Sequence, residues 1–472
     1  MKGKVRLNYF SDVFNVDVTI LDRYGAINIC LCQDLPLFLD PFLLYYSSNP
    51  DFNNLHGDVI EYLSFLKKKS KSIINNNKIL RQYFTFKEIK QNWLGYTRNG
   101  NAGKGLGLGF AQEVNSKLST TPIQKTITKG IHFERIFLSC YGVGVDKTSD
   151  FTTNLCKRYL LDYTEYFAKT NISPSQCKSF SVQKVYFDYK KQEWQNKDYY
   201  LPSYKGDFVI LTPKQMLSRA PSWINRYDLI NNFDSILETA IPDSVLGRDV
   251  SKYLSDNLPE TAKKREKNGV IKRVLEEYSG VYDYYILNKE MRGNEAVSKS
   301  RDDIQYTEQV FIHNTRDFIS KLHAQTDFYK VSGDTFTELK KKILILKDFI
   351  ESTEGQKLFY HNGKPIIKEE DITLLHRLIS CPSDSKVDNT RSRDGAKGAG
   401  KRVNVELKLA SNPQLKKYFD NKMKQSAFSG GAIHTIFVII CYSEEEFARA
   451  LEILHELEIR KRENIIFIKV GE

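Results

Sequence analysis

The chain has 472 residues and no apolar run approaching ~20, the length a membrane-spanning helix needs. Its first residues, Met1-Lys2-Gly3-Lys4-Val5-Arg6, are basic. Polar and acidic residues then interrupt what a signal peptide would keep apolar, so no secretory leader is read here. Cysteine is scarce, with seven scattered residues, an odd number. Cys30 and Cys32 are too close in sequence for a zinc-knuckle pair. Most cysteines sit in apolar runs, so reduced, buried thiols and a cytoplasmic location are expected, with no membrane partner. Nucleotide fingerprints are lacking too. Gly103-Lys104 has no Gly five residues earlier and no Ser or Thr after it, so it is not a phosphate loop. Gly105, Gly107 and Gly109 do not make a dinucleotide motif.

Hydrophobic residues make up 41% and aromatics 12%, enough for packed cores and too much for a disordered chain. The length allows two or three domains. A formal net charge of +12 fits a polyanionic partner, although basic soluble proteins are common.

The N-terminal region reads as α+β. Val16 to Leu21 and Ala26 to Cys32 have strand character around a turn at Asp22 to Gly25. Asp34 and Asp40 are candidate ligands, but Asp before Pro, as at Asp40-Pro41, is ordinarily a turn. Asp58 to Lys69 reads as a helix whose lysine-rich end suits its dipole. Six glycines fall between Gly95 and Gly109, either a basic loop against a phosphate backbone or a loop packed closely on its neighbours. Further on, Asp150 suits the N-cap of a helix running to about Lys169. A second active site here requires His132, Glu134, Asp146 and Asp150 to converge. Lys205 to Lys214 reads as a strand. Residues 259–276 and 295–353 read as helical, and the basic group Lys263, Lys264, Arg265 and Lys267 faces either DNA or solvent.

The most informative stretch is Arg402 to Ala410. Val403, Val405, Leu407 and Leu409 alternate with polar residues, a strand signature. Period two puts Glu406 and Lys408 on one face, with Leu407 opposite. A carboxylate and an ammonium so placed can share a divalent cation and its water. Pro413 suits the start of a helix with Leu415, Tyr418, Phe419 and Met423 on one side. The apolar run His434 to Tyr442 reads as a buried parallel strand. A helix from Glu444 to Glu458 and a last strand, Ile465 to Val470, follow. Upstream, Glu369-Glu370-Asp371 opens a helix. Asp388 follows after a short turn or strand, and a basic Gly-rich segment, Asn389 to Lys401, leads into the Glu406 strand.

This order resembles the catalytic core of the PD-(D/E)XK nuclease superfamily over about residues 355–472. The matching residues are Glu369, Asp388, Glu406 and Lys408, with Asp384 or Asp394 as alternatives to Asp388. Lys422 and Ser426 stand where some members carry Gln and Tyr. The resemblance implies an α/β restriction-endonuclease-like domain with a mixed sheet, placed after a helical connector (246–354) and an N-terminal α+β sensing or regulatory domain (1–245). It implies a nuclease hydrolysing DNA phosphodiester bonds with Mg²⁺ or Mn²⁺. Glu369, Asp388 and Glu406 would ligate the metal, and Lys408 would position or activate water. Arg391, Arg393, Lys397, Lys401 and Arg402 would hold the backbone. RNA is an alternative substrate. The setting it implies is antiviral defence or restriction, under control of the N-terminal region, a partner subunit or self-association. The other expectation is a non-catalytic nucleic-acid-binding or scaffold subunit of a defence complex, its nuclease fold degenerate, as the Lys422 and Ser426 departures favour.

Overall fold

The structure, a computed structural model, describes residues 7–471 apart from 98–99, 102, 122–126, 242–243, 260, 332, 334, 382–402, 429–433 and 460–463. Asp388, its alternatives Asp384 and Asp394, and the basic residues Arg391, Arg393, Lys397, Lys401 and Arg402 lie outside the described residues. The chain is a mixed α+β protein of two compact units. One is Tyr9–Gln305; the other combines Tyr306–Glu472 with the first eight residues. The stretch 246–354, expected as a connector, is divided between them. Val250, Ile271, Val274 and Val281 enter a core with Leu229 and Phe233 in the first unit. Ile343, Leu346 and Ile350 pack with strand residues Val438 and Ile440 in the second. Each helical stripe is buried in the core of its own unit. Among the described residues no helix is long and apolar enough to cross a membrane.

In the N-terminal unit, Val18–Tyr24 is a helix (α1), not the strand expected over Val16 to Leu21. The Asp17 side chain accepts from the Thr19 amide and caps it, and Gly25 in the left-handed region ends it. A short alternating apolar run fits either period, and the cap decides. Ala26 to Cys32 forms no ladder; the segment is buried and makes only isolated bridges, Ala26 to Pro213 and Tyr9 to Cys30. A two-residue strand, β1 (Phe38–Leu39), follows. Helix α2 spans Pro50–Ser70 and α3 spans Leu108–Thr120.

Helix α4 spans Val145–Leu155 and α5 spans Lys157–Asn171. Asp150 therefore lies inside α4 and does not cap it; extended Gly144 occupies the cap position. Helix α5 packs against a long antiparallel hairpin, β2 (Cys177–Asp188) and β3 (Glu193–Tyr204), which a short β4 (Asp207–Phe208) extends. The strand expected over Lys205 to Lys214 is ladder-paired only at β4. Strand β5 (Leu217–Ser218) pairs antiparallel with β1.

The C-terminal unit follows the strand–helix alternation read from the sequence. Helix α6 (Phe336–Ile350) carries a complete capping box, with Thr335 and Glu338 each bonding the other's backbone. Helix α7 (Glu369–Ser380) has three acids in its first turn and Arg377 in its last, matching its dipole at both ends. Then come β6 (Val403–Leu409), α8 (Leu415–Phe428), β7 (His434–Cys441), α9 (Glu444–Glu456) and β8 (Ile465–Lys469). The strands form a sheet in the order β8-β7-β6, and both ladders are parallel, where a mixed sheet was expected. Successive parallel strands need crossovers, and α8 and α9 supply them.

The pleat sorts side chains between two layers. Leu407, Val438, Ile440 and Ile468 meet Ile343, Leu346, Ile372 and Leu375 of α6 and α7. On the other face Ile439 and Cys441 meet Leu415 and Phe419 of α8 and Ala450, Ile453 and Leu454 of α9. Central β7 is apolar on both faces, as its unbroken apolar sequence requires. Among the described residues β6 is an edge strand, only half-buried before Leu409, so polar residues are tolerated on it. Ile439 is fully buried. Ile439→Ala is expected to cost about 2–5 kcal/mol, read as faster hydrogen exchange of β7 and β8 amides, with the β2–β3 hairpin amides unchanged.

Candidate functional site

The edge strand β6 gathers the ionisable groups of the C-terminal unit. Glu406 and Lys408, two apart, project to the α8 face, in register with Phe437 and Ile439 of β7. Glu369, the first residue of α7, reaches the same edge. Its Oε2 accepts from Lys408 Nζ at 2.7 Å, and its Oε1 accepts from the Leu409 amide at 3.1 Å and Asn412 Nδ2 at 2.7 Å. An edge strand has amides without a ladder partner, and the Glu369 carboxylate satisfies one of them. The turn after β6 is held by Arg449 of α9, whose guanidinium donates to the carbonyls of Ala410 (3.2 Å) and Asn412 (3.3 Å).

Glu406 is held from α8. Tyr418 donates its hydroxyl to Oε2, and Lys422 Nζ lies 2.8 Å from Oε1. Tyr418 and Lys422 are four apart, so they share a helix face. The Tyr418 ring lies between two cations, Lys408 Nζ at 4.6 Å and Lys422 Nζ at 5.7 Å from its centroid. Two ion pairs, Glu369–Lys408 and Glu406–Lys422, thus each bring their lysine to one tyrosine ring. Each of these side chains keeps between 20% and 36% exposure, so the array is neither sealed nor fully solvated.

The structure therefore brings together three of the four residues singled out for catalysis: Glu369, Glu406 and Lys408. The fourth, Asp388, lies outside the described residues. Sequence reasoning treated Lys422 as a departure and Tyr418 as an apolar-face residue. Their i, i+4 spacing on the helix that follows Glu406 was the available signal. As ligands for magnesium, Glu369 and Glu406 have the right donor chemistry, hard oxygens. All four oxygens, however, already accept from donors in the chain, and each carboxylate has a lysine. Among the described residues no three His, Cys, Asp or Glu side chains are gathered to hold a metal ion.

The second constellation weighed in the sequence divides in two. His132 Nε2 lies 2.9 Å from Glu290 Oε1, and the Nδ1 side lies 4.0 Å from Glu134. Glu290 also accepts from the Lys129 and Gly130 amides and the Tyr45 hydroxyl, which reads as a structural knot. Asp146 lies elsewhere, on α4 with Asp150: after burial, Asp146 and Glu88 raise the Asp150 carboxyl, and both also raise that of Asp34. Asp40 is structural, accepting from the Phe42 and Trp223 amides and the Ser218 hydroxyl.

Residues 15–225 match a domain of unknown function, DUF8370, and residues 335–444 match another, DUF8371. No curated protein and no solved structure matches the chain. The second match takes in α6, α7, β6, α8 and β7, and so every described residue of the β6 array.

A double-mutant cycle checks the array without reference to activity. For Glu369→Gln and Lys408→Met, a coupling of about 1 kcal/mol is expected for a partly exposed pair with extra donors on the carboxylate, measured by urea unfolding of the single and double variants.

Proposed function

We propose that this chain is a nuclease acting on the phosphodiester backbone of DNA, with the β6 edge as its reactive face. One observation carries the reading: Glu369 from α7, Glu406 and Lys408 from β6 and Lys422 from α8 converge on that edge within one ion-paired array. The residue types on α7 and β6 are those the resemblance to the PD-(D/E)XK superfamily implies, although the sheet of the described strands is parallel where the resemblance implies a mixed one.

The chemistry follows from competition for the lysines. A phosphodiester brought to the edge is an anion that draws Lys408 and Lys422 away from Glu369 and Glu406. The carboxylates so released are ligands of the kind magnesium takes, and they would hold it beside Asp388. Magnesium, when bound, supplies charge neutralisation at the phosphorus centre. Lys408, next to Glu406 on the strand, then holds or orients the attacking water. Tyr418 holds Glu406 through its hydroxyl while the lysines turn to the phosphate.

The same array favours a second reading. Glu406 and Lys422 already balance each other, as do Glu369 and Lys408, so the edge is stable without a metal. That suits a nucleic-acid-binding or scaffold subunit of a defence complex. Supercoiled-plasmid cleavage with Mg²⁺ or Mn²⁺ separates the two. The nuclease reading expects nicking or linearisation by the wild type, and about 10²-fold or greater loss in folded Glu406→Ala and Lys408→Ala, typical when a charged group acting in the transition state is removed. Wild-type DNA binding without cleavage, retained in Glu406→Ala, supports the scaffold reading. Cleavage that survives both substitutions removes the β6 edge as the reactive face.

A further inference from the structure

The N-terminal unit holds a cavity of about 650 Å³, a size that suits a small-molecule ligand. Hydrophobic patterning builds it. The helices Phe233–Ala240 and Gly280–Met291 bury Phe233, Ile236, Tyr282, Tyr285 and Ile286 in one core. Polar positions of both helices are thereby left on the cavity wall, Ser235 and Thr239 from the first and Asn288 and Lys289 from the second. Trp223 is pinned into the same wall. Its amide donates to Asp40 Oδ2 at 2.7 Å, and its Nε1 donates to the Lys289 carbonyl at 3.1 Å. The Asn225 side chain accepts from the Asp228 amide at 2.8 Å and caps the helix Arg226–Asn231, which holds Asp228 at the cavity.

Among the described residues, the charged side chains that line the cavity are Lys289, Arg292, Lys299 and Asp228. Three cations against one acid leave the wall two positive charges in excess. Lys289 is the decisive group. It is 6% exposed, and burying an ammonium is costly unless something meets its charge. Its Nζ stands 4.3 Å from the Trp223 ring centroid and 5.6 Å from that of Tyr285. The Arg292 guanidinium approaches the same indole, at 5.8 Å. Two cations thus share one aromatic ring at the cavity wall, where packing alone would place apolar groups.

Each cation can turn to a ligand without stranding its present partner. Asp228 Oδ2 lies 2.8 Å from Lys289 Nζ, but it also lies 2.9 Å from the Tyr285 hydroxyl, and Oδ1 accepts from Asn232 Nδ2 at 2.9 Å. Asp303 Oδ2, 3.2 Å from Lys299 Nζ, also accepts from the Arg219 amide at 2.9 Å. Glu295 pairs with Arg292 where both side chains are about half exposed, so water can take over from it. The Asn288 side chain and the Ser235 hydroxyl have no hydrogen-bond partner among the described residues.

We propose that this cavity binds a small phosphate ester that carries hydroxyl groups, a sugar phosphate or a nucleotide. A phosphate monoester bears close to two negative charges at neutral pH, which matches the excess on the wall. A single carboxylate would leave one cation unmatched. Lys289, Arg292 and Lys299 take the phosphate oxygens in charge-assisted hydrogen bonds. Asn288 and Ser235 offer donors and acceptors to the hydroxyls. The cavity shares no residue with the β6 edge, so it stands or falls apart from the nuclease reading.

The test titrates the full chain, without metal or DNA, with AMP, ribose 5-phosphate and adenosine in a calorimeter. Wild type is expected to bind both esters, and adenosine about tenfold or more weakly. Lys289→Met, Arg292→Gln and Lys299→Gln are each expected to weaken AMP binding about tenfold, the loss of one charge-assisted hydrogen bond. Arg292 is exposed, so Arg292→Gln guards against loss of fold. Lys178→Gln removes the same charge at an exposed position of β2 and is expected to bind as wild type does. AMP binding tighter than ribose 5-phosphate assigns a nucleotide, and equal binding assigns a sugar phosphate. The proposal is overturned if wild type binds neither ester, if adenosine binds as tightly as AMP, or if Lys289→Met and Arg292→Gln bind unchanged. It is overturned too if Lys178→Gln weakens binding equally, or if a short unphosphorylated DNA duplex displaces AMP, which makes the surface a nucleic-acid contact. In thermal unfolding, AMP is expected to raise the melting temperature of wild type more than that of Lys289→Met; equal rises overturn the assignment to this cavity.

Discussion

A carboxylate leaving bulk water must be met by a cation, by donated hydrogens or by a proton, and this requirement shapes both units of the chain. At β6 the first two answers are combined. Glu369 takes a lysine, a backbone amide and a side-chain amide, while Glu406 takes a lysine and a phenol. The edge strand, the α7 N-terminus and the first turns of α8 are tied together by these contacts. The apolar layers behind them determine where the elements lie. The ion pairs determine which polar groups face one another.

Around Asp34 the requirement is met differently. Gly103 lets the Gly-rich loop come so close to Glu88 that no side chain fits, and Gly95 takes a backbone conformation (φ +132°) that other residues rarely adopt. A loop that served packing alone would gain from apolar contacts there. This one lies over carboxyl groups, and it is tied down by backbone hydrogen bonds that cost no side-chain entropy. One unit therefore meets its β6 carboxylates with lysines, while in the other burial raises the carboxyls of Asp34 and Asp150.

Much of the C-terminal unit was legible because its signals are local. Alternation from Val403 to Leu409, the apolar run through Cys441 and the capping acids at Glu369 to Asp371 each belong to one element. Strand period two placed Glu406 and Lys408 on one face without knowledge of the fold. The i, i+4 spacing of Tyr418 and Lys422 put them on one helix face, but that this face meets Glu406 was not legible, because it depends on how α8 lies over the sheet. In the N-terminal unit the local signals conflicted. Val18 to Leu21 alternates like a strand, yet Asp17 caps it as a helix. The β2–β3 hairpin was missed because Lys, Gln and Ser interrupt its alternation, and a register shift between Val182 and Tyr186 breaks its period.

The pairing of β1 with β5 joins Phe38–Leu39 to Leu217–Ser218, and Ala26 bridges Pro213. During synthesis the first segments of the N-terminal unit therefore leave the ribosome long before their partners exist. At ~5–20 residues per second the wait is on the order of ten seconds or more, with Phe38 and Leu39 unpaired. The C-terminal sheet makes no such demand, because each of its strands pairs with the next strand in the chain. The part of the protein made first is thus the part that must wait, and it is there, more than in the late-made sheet, that a chaperone would have work to do.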